Sequence, residues 1–178
     1  MSDSELNKFG SLPNTDDEYR RLCEDDEVKR VLNTPDCELG IDFLGFIDDY
    51  RDLAGRLPDS ITRIVDLGCY AGIQSIYFED KEYSGIDGVD TEYRYQGKNT
   101  HHIKATIQDY CRWLKGANLL NKNMEPITEN MFAFCCNVPN NNGEWDCVRD
   151  TFRYYRITYP MQHGHYIEEV LPEGVKRT

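Results

Sequence analysis

From Ile61 onward, short apolar runs alternate along the chain with segments of helical spacing. This alternation is typical of parallel strands joined by right-handed helical crossovers. The stretch Arg63–Gly72 predicts a strand that opens onto a turn. The apolar runs Tyr83–Asp87 and Met131–Cys136 predict two further strands, of which the last is apolar throughout and suits a central strand. The fold class predicted from this order is α/β, a doubly wound, mostly parallel sheet with helices on both faces.

Helices and a terminal hairpin complete this prediction. Ile73–Phe78 and Gln108–Leu120 have the spacing of crossover helices, and Asn140–Gly143 has the composition of a loop. Two later runs, Tyr154–Tyr159 and Tyr166–Leu171, predict a pair of strands that turn around Gly164. The polar stretch between the second and third strands suits a helical turn or a lid over a site.

Helical spacing also marks the part of the chain that precedes the first strand. Apolar residues recur from Tyr19 to Leu32 and again from Leu39 to Leu57, where Pro58 ends the run. We expect an N-terminal extension of helices over 16–58, packed beside the first strand, and a frayed lead-in over 1–15. The α/β core is expected over 61–171, and at 178 residues the whole chain is expected to form one domain.

The first strand leads into a turn with ligand-binding character. Asp66 lies near its end, Gly68 and Gly72 follow, and the next strand ends in Asp87, which is 19 residues beyond Gly68. Glycines at the carboxyl end of a parallel strand let the backbone approach a ligand, and an acid about 20 residues further on is typical of ribose binding. We interpret the two strands and two acids as one half of a nucleotide site.

The spacing of the glycines limits the classes of nucleotide that this site could bind. Tyr70 and Ile73 stand where a dinucleotide-binding turn has its second and third glycines, and no Gly-x-x-x-x-Gly-Lys-Ser/Thr motif occurs. These positions disfavour NAD, FAD and nucleoside triphosphates. A ligand with a ribose and a cationic group but no phosphate needs carboxylates instead, because a diol donates hydrogen bonds to them. S-adenosylmethionine fits that description.

The motifs resemble those of class I S-adenosylmethionine-dependent methyltransferases, a family with a Rossmann-like sheet. Val65–Gly72 resembles the family's Asp/Glu-x-Gly-x-Gly-x-Gly motif, with Tyr70 in place of the middle glycine, and Tyr83–Asp87 resembles its second motif. The family's third strand would correspond to Ile103–Asp109. The resemblance implies S-adenosylmethionine as cofactor and a binding set that consists of Asp66, Gly68, Cys69, Tyr70, Gly72, Asp87, Gln108 and Asp109.

Roles follow from the same resemblance. Asp66 would lie near the methionine amine, Asp87 on the ribose, and Asp109 or Gln108 near adenine. The acceptor would lie at the loop 137–140. Asn137-Val138-Pro139-Asn140 weakly resembles the Asn/Asp-Pro-Pro-Tyr/Phe motif of amino-group methyltransferases, and the alternative is an ordinary strand-to-loop turn. No catalytic residue is assigned.

Two departures from the family keep a second hypothesis open. Tyr70 places a large side chain where the ligand is expected, and only 41 residues follow Asn137, so the carboxyl half is short. The first hypothesis is a methyltransferase that acts on an unidentified small-molecule or protein acceptor. The alternative is a non-catalytic protein with the same fold, whose acidic surface binds a basic protein partner as an inhibitor or immunity-type factor does.

Charge and cysteine content limit the partners. The net charge of −12 disfavours free nucleic acid, because basic side chains must neutralise the phosphate backbone. Arg149, Arg153 and Arg156 alternate with aromatic residues, and we interpret them as solvated arginines of a strand edge. The seven cysteines form no repeated metal spacing. His163 and His165 would share one face of an extended strand, but no metal site is predicted. The acidic first residues and the lack of a long apolar run predict a cytoplasmic protein without a membrane span.

Overall fold

The computed structural model describes residues 24–32, 49–88, 94–117, 119–120, 126–162 and 164–175. Helix α1 (Asp26–Leu32) and helical residues 49–54, called α2, precede the sheet. The later elements, in chain order, are β1 (Arg63–Leu67), a 3₁₀ helix (Ile73–Phe78), β2 (Glu82–Asp87), β3 (Thr100–Lys104), α3 (Ile107–Ala117), a second 3₁₀ helix (Ile127–Asn130), β4 (Met131–Cys136), α4 (Glu144–Thr151), β5 (Tyr154–Met161) and β6 (Gly164–Val170). The lead-in predicted over 1–15 lies outside the described residues.

The six strands form one sheet in the order β3-β2-β1-β4-β5-β6. Every neighbouring pair is parallel except β5 and β6, which form an antiparallel hairpin. The chain moves outward from β1 to β3 on one side and from β4 to β6 on the other, which makes the sheet doubly wound. The predicted α/β class and the predicted terminal hairpin are confirmed.

Helices cover both faces of the sheet. Along β1 and β4, successive side chains point to opposite faces, as they must in a strand. On one face Val65 and Ala133 join a core with α3 and α4, and on the other Ile64 and Phe134 join a core with α2 and the first 3₁₀ helix. All six residues of β4 are buried, because both of its faces are covered.

The third strand differs from the prediction. Ile103–Asp109 was expected to be a strand, whereas β3 ends at Lys104 and α3 begins at Ile107. The reason is a helix cap: Thr106 Oγ1 accepts the backbone N–H of Asp109 at 3.1 Å and donates to its carboxylate at 2.9 Å. A threonine hydroxyl that accepts the backbone N–H three residues later is an N-cap, which starts a helix.

Two further elements differ from the sequence analysis. Ile73–Phe78 forms a 3₁₀ helix, and Glu144–Thr151 forms α4, for which no helix was predicted. The prediction of solvated strand-edge arginines was wrong for two of the three. Arg149 lies on α4 and pairs with Glu168, whereas Arg156 is buried on β5 and pairs with Asp49 and Glu169.

Within the part of the chain that the structure describes, no helix is both long enough and apolar enough to cross a bilayer.

Candidate functional site

The carboxyl ends of β1, β2 and β4 meet at the point where the strand order reverses. β1 pairs with β2 on one side and with β4 on the other. The connection after β1 leads towards β2 and β3, whereas the connection after β4 leads the opposite way, towards β5 and β6. Open α/β sheets bind ligands at such a switch point, because the diverging crossovers leave a crevice there. The turn at 68–72 lies directly after β1, Asn137 lies directly after β4, and Asp87 is the last residue of β2.

Three residues of the turn after β1 have left-handed backbone conformations. The φ angles are 78° at Gly68, 49° at Tyr70 and 71° at Gly72. A non-glycine residue in this region costs about 1–2 kcal/mol. Tyr70 therefore has a backbone conformation typical of glycine although it carries a side chain.

Asp87 holds this turn in place. Its Oδ2 accepts the backbone N–H of Tyr70 at 2.9 Å, so the acid that ends β2 contacts the turn that follows β1. The ring of Tyr70 is half-buried and packs against the core cluster that contains Val31 and Tyr95. Tyr70 thus contributes a backbone donor to Asp87 and an apolar ring to the core beneath α1.

Asp66 lies in a buried network within the protein. Its carboxylate is fully buried and accepts hydrogen bonds from Tyr50 at 3.3 Å, from Gln74 and from Tyr83. Burial raises the pKa of Asp66 to about 6, although the three hydrogen bonds act in the opposite direction. With its oxygens engaged in this way, Asp66 ties β1 to α2, β2 and the 3₁₀ helix.

Both glycines of the turn are packed against side chains of the protein. A Cβ at Gly68 would lie 2.4 Å from Cγ2 of Val138, and a Cβ at Gly72 would lie 2.5 Å from Cε1 of His102. His102 is held by a 2.8 Å hydrogen bond between its Nε2 and the carbonyl oxygen of Tyr95. Since a carbonyl only accepts, Nε2 carries the proton; burial lowers the pKa of this imidazole.

Val138 is held in place by α4. Its carbonyl oxygen accepts the indole N–H of Trp145 at 2.8 Å, and Trp145 stacks on Tyr166 with ring centroids 4.9 Å apart. Asn140 accepts the backbone N–H of Trp145 at 3.1 Å. The loop between β4 and α4 is therefore anchored over Gly68. This contact could not be predicted from the sequence, because no helix was predicted at the position of α4.

Cys69 is buried beside the turn. Its Sγ donates to the carbonyl oxygen of Tyr70 at 3.6 Å, and burial raises the pKa of the thiol well above its usual value. A Cβ at Gly85 of β2 would lie 2.7 Å from this sulfur. Cys69 therefore acts as a small packing residue between β1 and β2.

Gln108 and Asp109 lie in the first turn of α3, four and five residues beyond the end of β3. Gln108 donates to Glu144 at 3.0 Å and thereby links α3 to the start of α4. Asp109 is exposed; its backbone N–H donates to the capping hydroxyl of Thr106, and its carboxylate accepts from that hydroxyl and pairs with Arg112 at 2.7 Å. In the structure both side chains serve helix ends; their contact with adenine stays a prediction.

Among the described residues, no group of three or more His, Cys, Asp or Glu side chains could hold a metal ion. Five cysteines in this part of the chain are free thiols: Cys69, Cys111, Cys135, Cys136 and Cys147. Burial raises the pKa of several of these thiols, which disfavours a nucleophilic role.

No protein-family model matches the chain, and no curated protein matches it. Among solved structures, a candidate type II methyltransferase from Anaeromyxobacter dehalogenans aligns with 15% identity and a TM-score of 0.43, over 64% of this chain and 46% of that one. A candidate methyltransferase from Streptococcus mutans in complex with SAH aligns with 11% identity and a TM-score of 0.40, over 64% and 71%. The MycE methyltransferase of the mycinamycin biosynthetic pathway, in complex with Mg and SAH, aligns with 13% identity and a TM-score of 0.41, over 75% and 33%. The aligned part thus spans less than half of the first of these proteins.

Proposed function

We propose that the protein binds S-adenosylmethionine at the carboxyl ends of β1, β2 and β4 and transfers its methyl group to an acceptor. The observation that supports this most directly is the contact between Asp87 and the left-handed turn at 68–72, because it joins an acid at the end of β2 to the turn after β1. That combination, at a topological switch point, is suited to a ribose. The class of acceptor is a small molecule or a protein.

The residues at this edge fit the nucleoside part of the ligand. A carboxylate has about four acceptor positions, so the hydrogen bond from Tyr70 does not by itself prevent Asp87 from accepting from a ribose diol. On this proposal Asp87 accepts from the ribose hydroxyls, and the backbone of Tyr70 orients the carboxylate. The role of Asp66 is to support β1 from within the core, since its carboxylate is fully buried.

S-adenosylmethionine, when bound, would supply a methyl group on a cationic sulfur; the acceptor would attack the methyl carbon in line, and S-adenosylhomocysteine would leave. The protein then has to orient the acceptor and exclude water. Asn137, the first residue after β4, has a φ angle of 57° and lies at the same edge as the turn. We place the acceptor beside it.

A second candidate function is favoured by the contact between Gly68 and Val138. Val138 fills the position that would let a ligand approach Gly68 closely, and the Trp145 hydrogen bond anchors it there. In this alternative the protein binds no cofactor, and its acidic surface, with a net charge of −12, binds a basic protein partner.

Calorimetric titration of the full chain with S-adenosylmethionine and with S-adenosylhomocysteine tests the proposal. We expect binding, and Asp87→Asn should weaken it at least about tenfold, because a charge-assisted hydrogen bond to the ribose is lost. Asp80→Asn is the matched control: it removes an exposed acid just before the opposite end of β2 and should leave affinity unchanged.

Val138→Ala separates the two candidate functions. If the methyltransferase proposal holds, the wild type binds and the smaller side chain at 138 preserves or strengthens binding. Absence of binding by both proteins, with their folding verified by circular dichroism, would overturn the proposal and favour the non-catalytic alternative. Equal weakening by Asp87→Asn and Asp80→Asn would refute the assigned ribose site.

A further inference from the structure

Strand β6 ends the sheet, and within the described ranges no strand pairs with its outer edge. The pairing of β6 with β5 shows which residues of β6 direct their backbone N–H and C=O groups towards the outer edge. The N–H of Asn137 donates to the carbonyl oxygen of Thr158 at 2.8 Å, so the polar backbone groups of Thr158 face β4. Ile167, which lies opposite Thr158, therefore directs its own N–H and C=O away from β5. Because this direction alternates along a strand, His165 and Glu169 direct theirs outward as well.

Proteins usually protect such an edge with unpaired charges, prolines or bulges. Here the negative charges of Glu168 and Glu169 on β6 are neutralised by ion pairs with arginines of the same chain. Arg149 contacts Glu168 at 2.6 Å, and Arg156 contacts Glu169 at 3.2 Å. No proline occurs between Gly164 and Val170.

The same edge exposes large apolar side chains. Ile167 is 51% exposed, Val170 is 42% exposed, and Met161 at the neighbouring end of β5 is 60% exposed. A regular strand with outward backbone groups, compensated charges and exposed apolar side chains is suited to pairing with another strand.

We propose that β6 pairs antiparallel with β6 of a second copy of this chain, about a two-fold axis at Ile167. This register places the outward-facing residues opposite one another: Ile167 faces its symmetry mate, and His165 faces Glu169 of the partner subunit. Each such pair exchanges two N–H···O=C hydrogen bonds. The interface is isologous, and it joins two six-stranded sheets into one.

The charge pattern of β6 selects this arrangement. In the antiparallel register Tyr166 lies opposite Glu168, and Gly164 leaves space opposite the exposed Val170. Parallel pairing in register would instead place Glu168 and Glu169 opposite their own copies, and like charges directly opposite are unfavourable. The sequence of β6 is therefore complementary to itself in the antiparallel direction.

The other edge of the sheet, β3, differs from β6 in length and charge. β3 has five residues, and its exposed Lys104 has the charge that typically blocks pairing. Ile103 on β3 is 37% exposed and provides a matched control for Ile167.

Sedimentation velocity of the full chain over a range of concentrations tests this interface. We expect a monomer–dimer equilibrium, which Ile167→Lys weakens at least about tenfold because two ammonium groups meet at the axis. Ile103→Lys makes the same change on β3 and should leave the dimer intact. A wild-type monomer at every concentration, or a dimer that survives Ile167→Lys, overturns the proposal. So does equal weakening by the two variants.

A mixing experiment tests the register and gives a positive signal. Ile167→Lys and Ile167→Glu should each be monomeric, and an equimolar mixture should form a heterodimer because opposite charges then meet at the axis. Far-ultraviolet circular dichroism of each variant verifies folding, and both substitutions lie at a half-exposed position. Two folded monomeric variants that fail to associate would place the interface elsewhere.

Discussion

The backbone N–H of Tyr70 donates a hydrogen bond to Oδ2 of Asp87 at 2.9 Å. The two residues are separated by a 3₁₀ helix and by β2, yet the parallel pairing of β1 with β2 brings their strand ends together. The acid that we assign to ligand binding also stabilises a turn residue with a φ angle of 49°. The same contact therefore links the shape of the turn to the candidate site.

The backbone conformation of Tyr70 predicts a difference in stability between its substitution by glycine and its substitution by alanine. Tyr70→Gly and Tyr70→Ala both remove the ring and its packing, but only glycine adopts a positive φ without steric cost. We expect the glycine variant to have the higher free energy of unfolding, by about 1 kcal/mol. Urea denaturation of the pair measures this difference. An alanine variant as stable as the glycine variant would show that the turn relaxes to a negative φ.

Gly68 and Gly143 have nearly the same φ angle but different surroundings, so alanine substitution at the two sites separates the cost of packing from the cost of backbone strain. Their φ angles are 78° and 77°, but a Cβ at Gly68 would lie 2.4 Å from Val138, whereas the nearest atom at Gly143 is 3.8 Å away. Gly143→Ala should therefore cost only the backbone strain, about 1 kcal/mol. Gly68→Ala should cost about 1–3 kcal/mol more, because the core is overpacked.

The double variant Gly68→Ala/Val138→Ala checks that this extra cost comes from Val138. Removal of the Val138 methyl groups should recover part of the stability lost in Gly68→Ala, and thermal unfolding of the single and double variants measures this coupling. Strict additivity of the two substitutions would argue against the contact.

Asp66 predicts a pH dependence of stability. Its pKa is raised from 3.8 to about 6 by burial, so the native state retains a proton that the unfolded state releases. The contribution of Asp66 to stability is therefore present below about pH 4 and falls as the pH rises towards 6, with a slope of up to about 1.4 kcal/mol per pH unit. Asp66→Asn removes this pH-dependent contribution, because an amide does not titrate.

Urea denaturation of the wild type and Asp66→Asn between pH 4 and pH 7 isolates that term. The difference in free energy of unfolding should shift in favour of the asparagine variant as the pH rises. A difference that is constant with pH, or that shifts in favour of the wild type, would contradict the raised pKa.

Glu168 is expected to make stability depend on pH in the opposite direction from Asp66. Hydrogen bonds from Arg149 lower the pKa of Glu168 from 4.5 to about 2. The contribution of Glu168 is present above about pH 4.5 and is lost as the pH falls towards 2. Glu168→Gln should lower the free energy of unfolding at neutral pH by about 1–2 kcal/mol, allowing for partial solvent screening. The variant should approach the wild type in acid, and acid-titrated denaturation curves would reveal any failure to converge.

Several elements could be predicted from local pattern because their burial leaves a direct signature. Met131–Cys136 was predicted with its observed bounds, since a strand covered on both faces must be continuously apolar. β3 left no such signature: within the described sheet it has one neighbour, and all five of its residues are exposed or half-buried. α4 was missed for a similar reason, because Val148 is its one fully buried residue.

For the candidate site, the sequence by itself determined which residues follow the strands: Gly68 and Gly72 after β1, Asp87 at the end of β2 and Asn137 after β4. It determined the α/β class as well, because hydrophobic periodicity is a local property. Only the tertiary structure decided what these residues contact. Asp66 meets Tyr50 and Tyr83, and Gly68 meets Val138, across long sequence separations. Such contacts depend on how strands and helices pack in three dimensions, and no local pattern of residues records them.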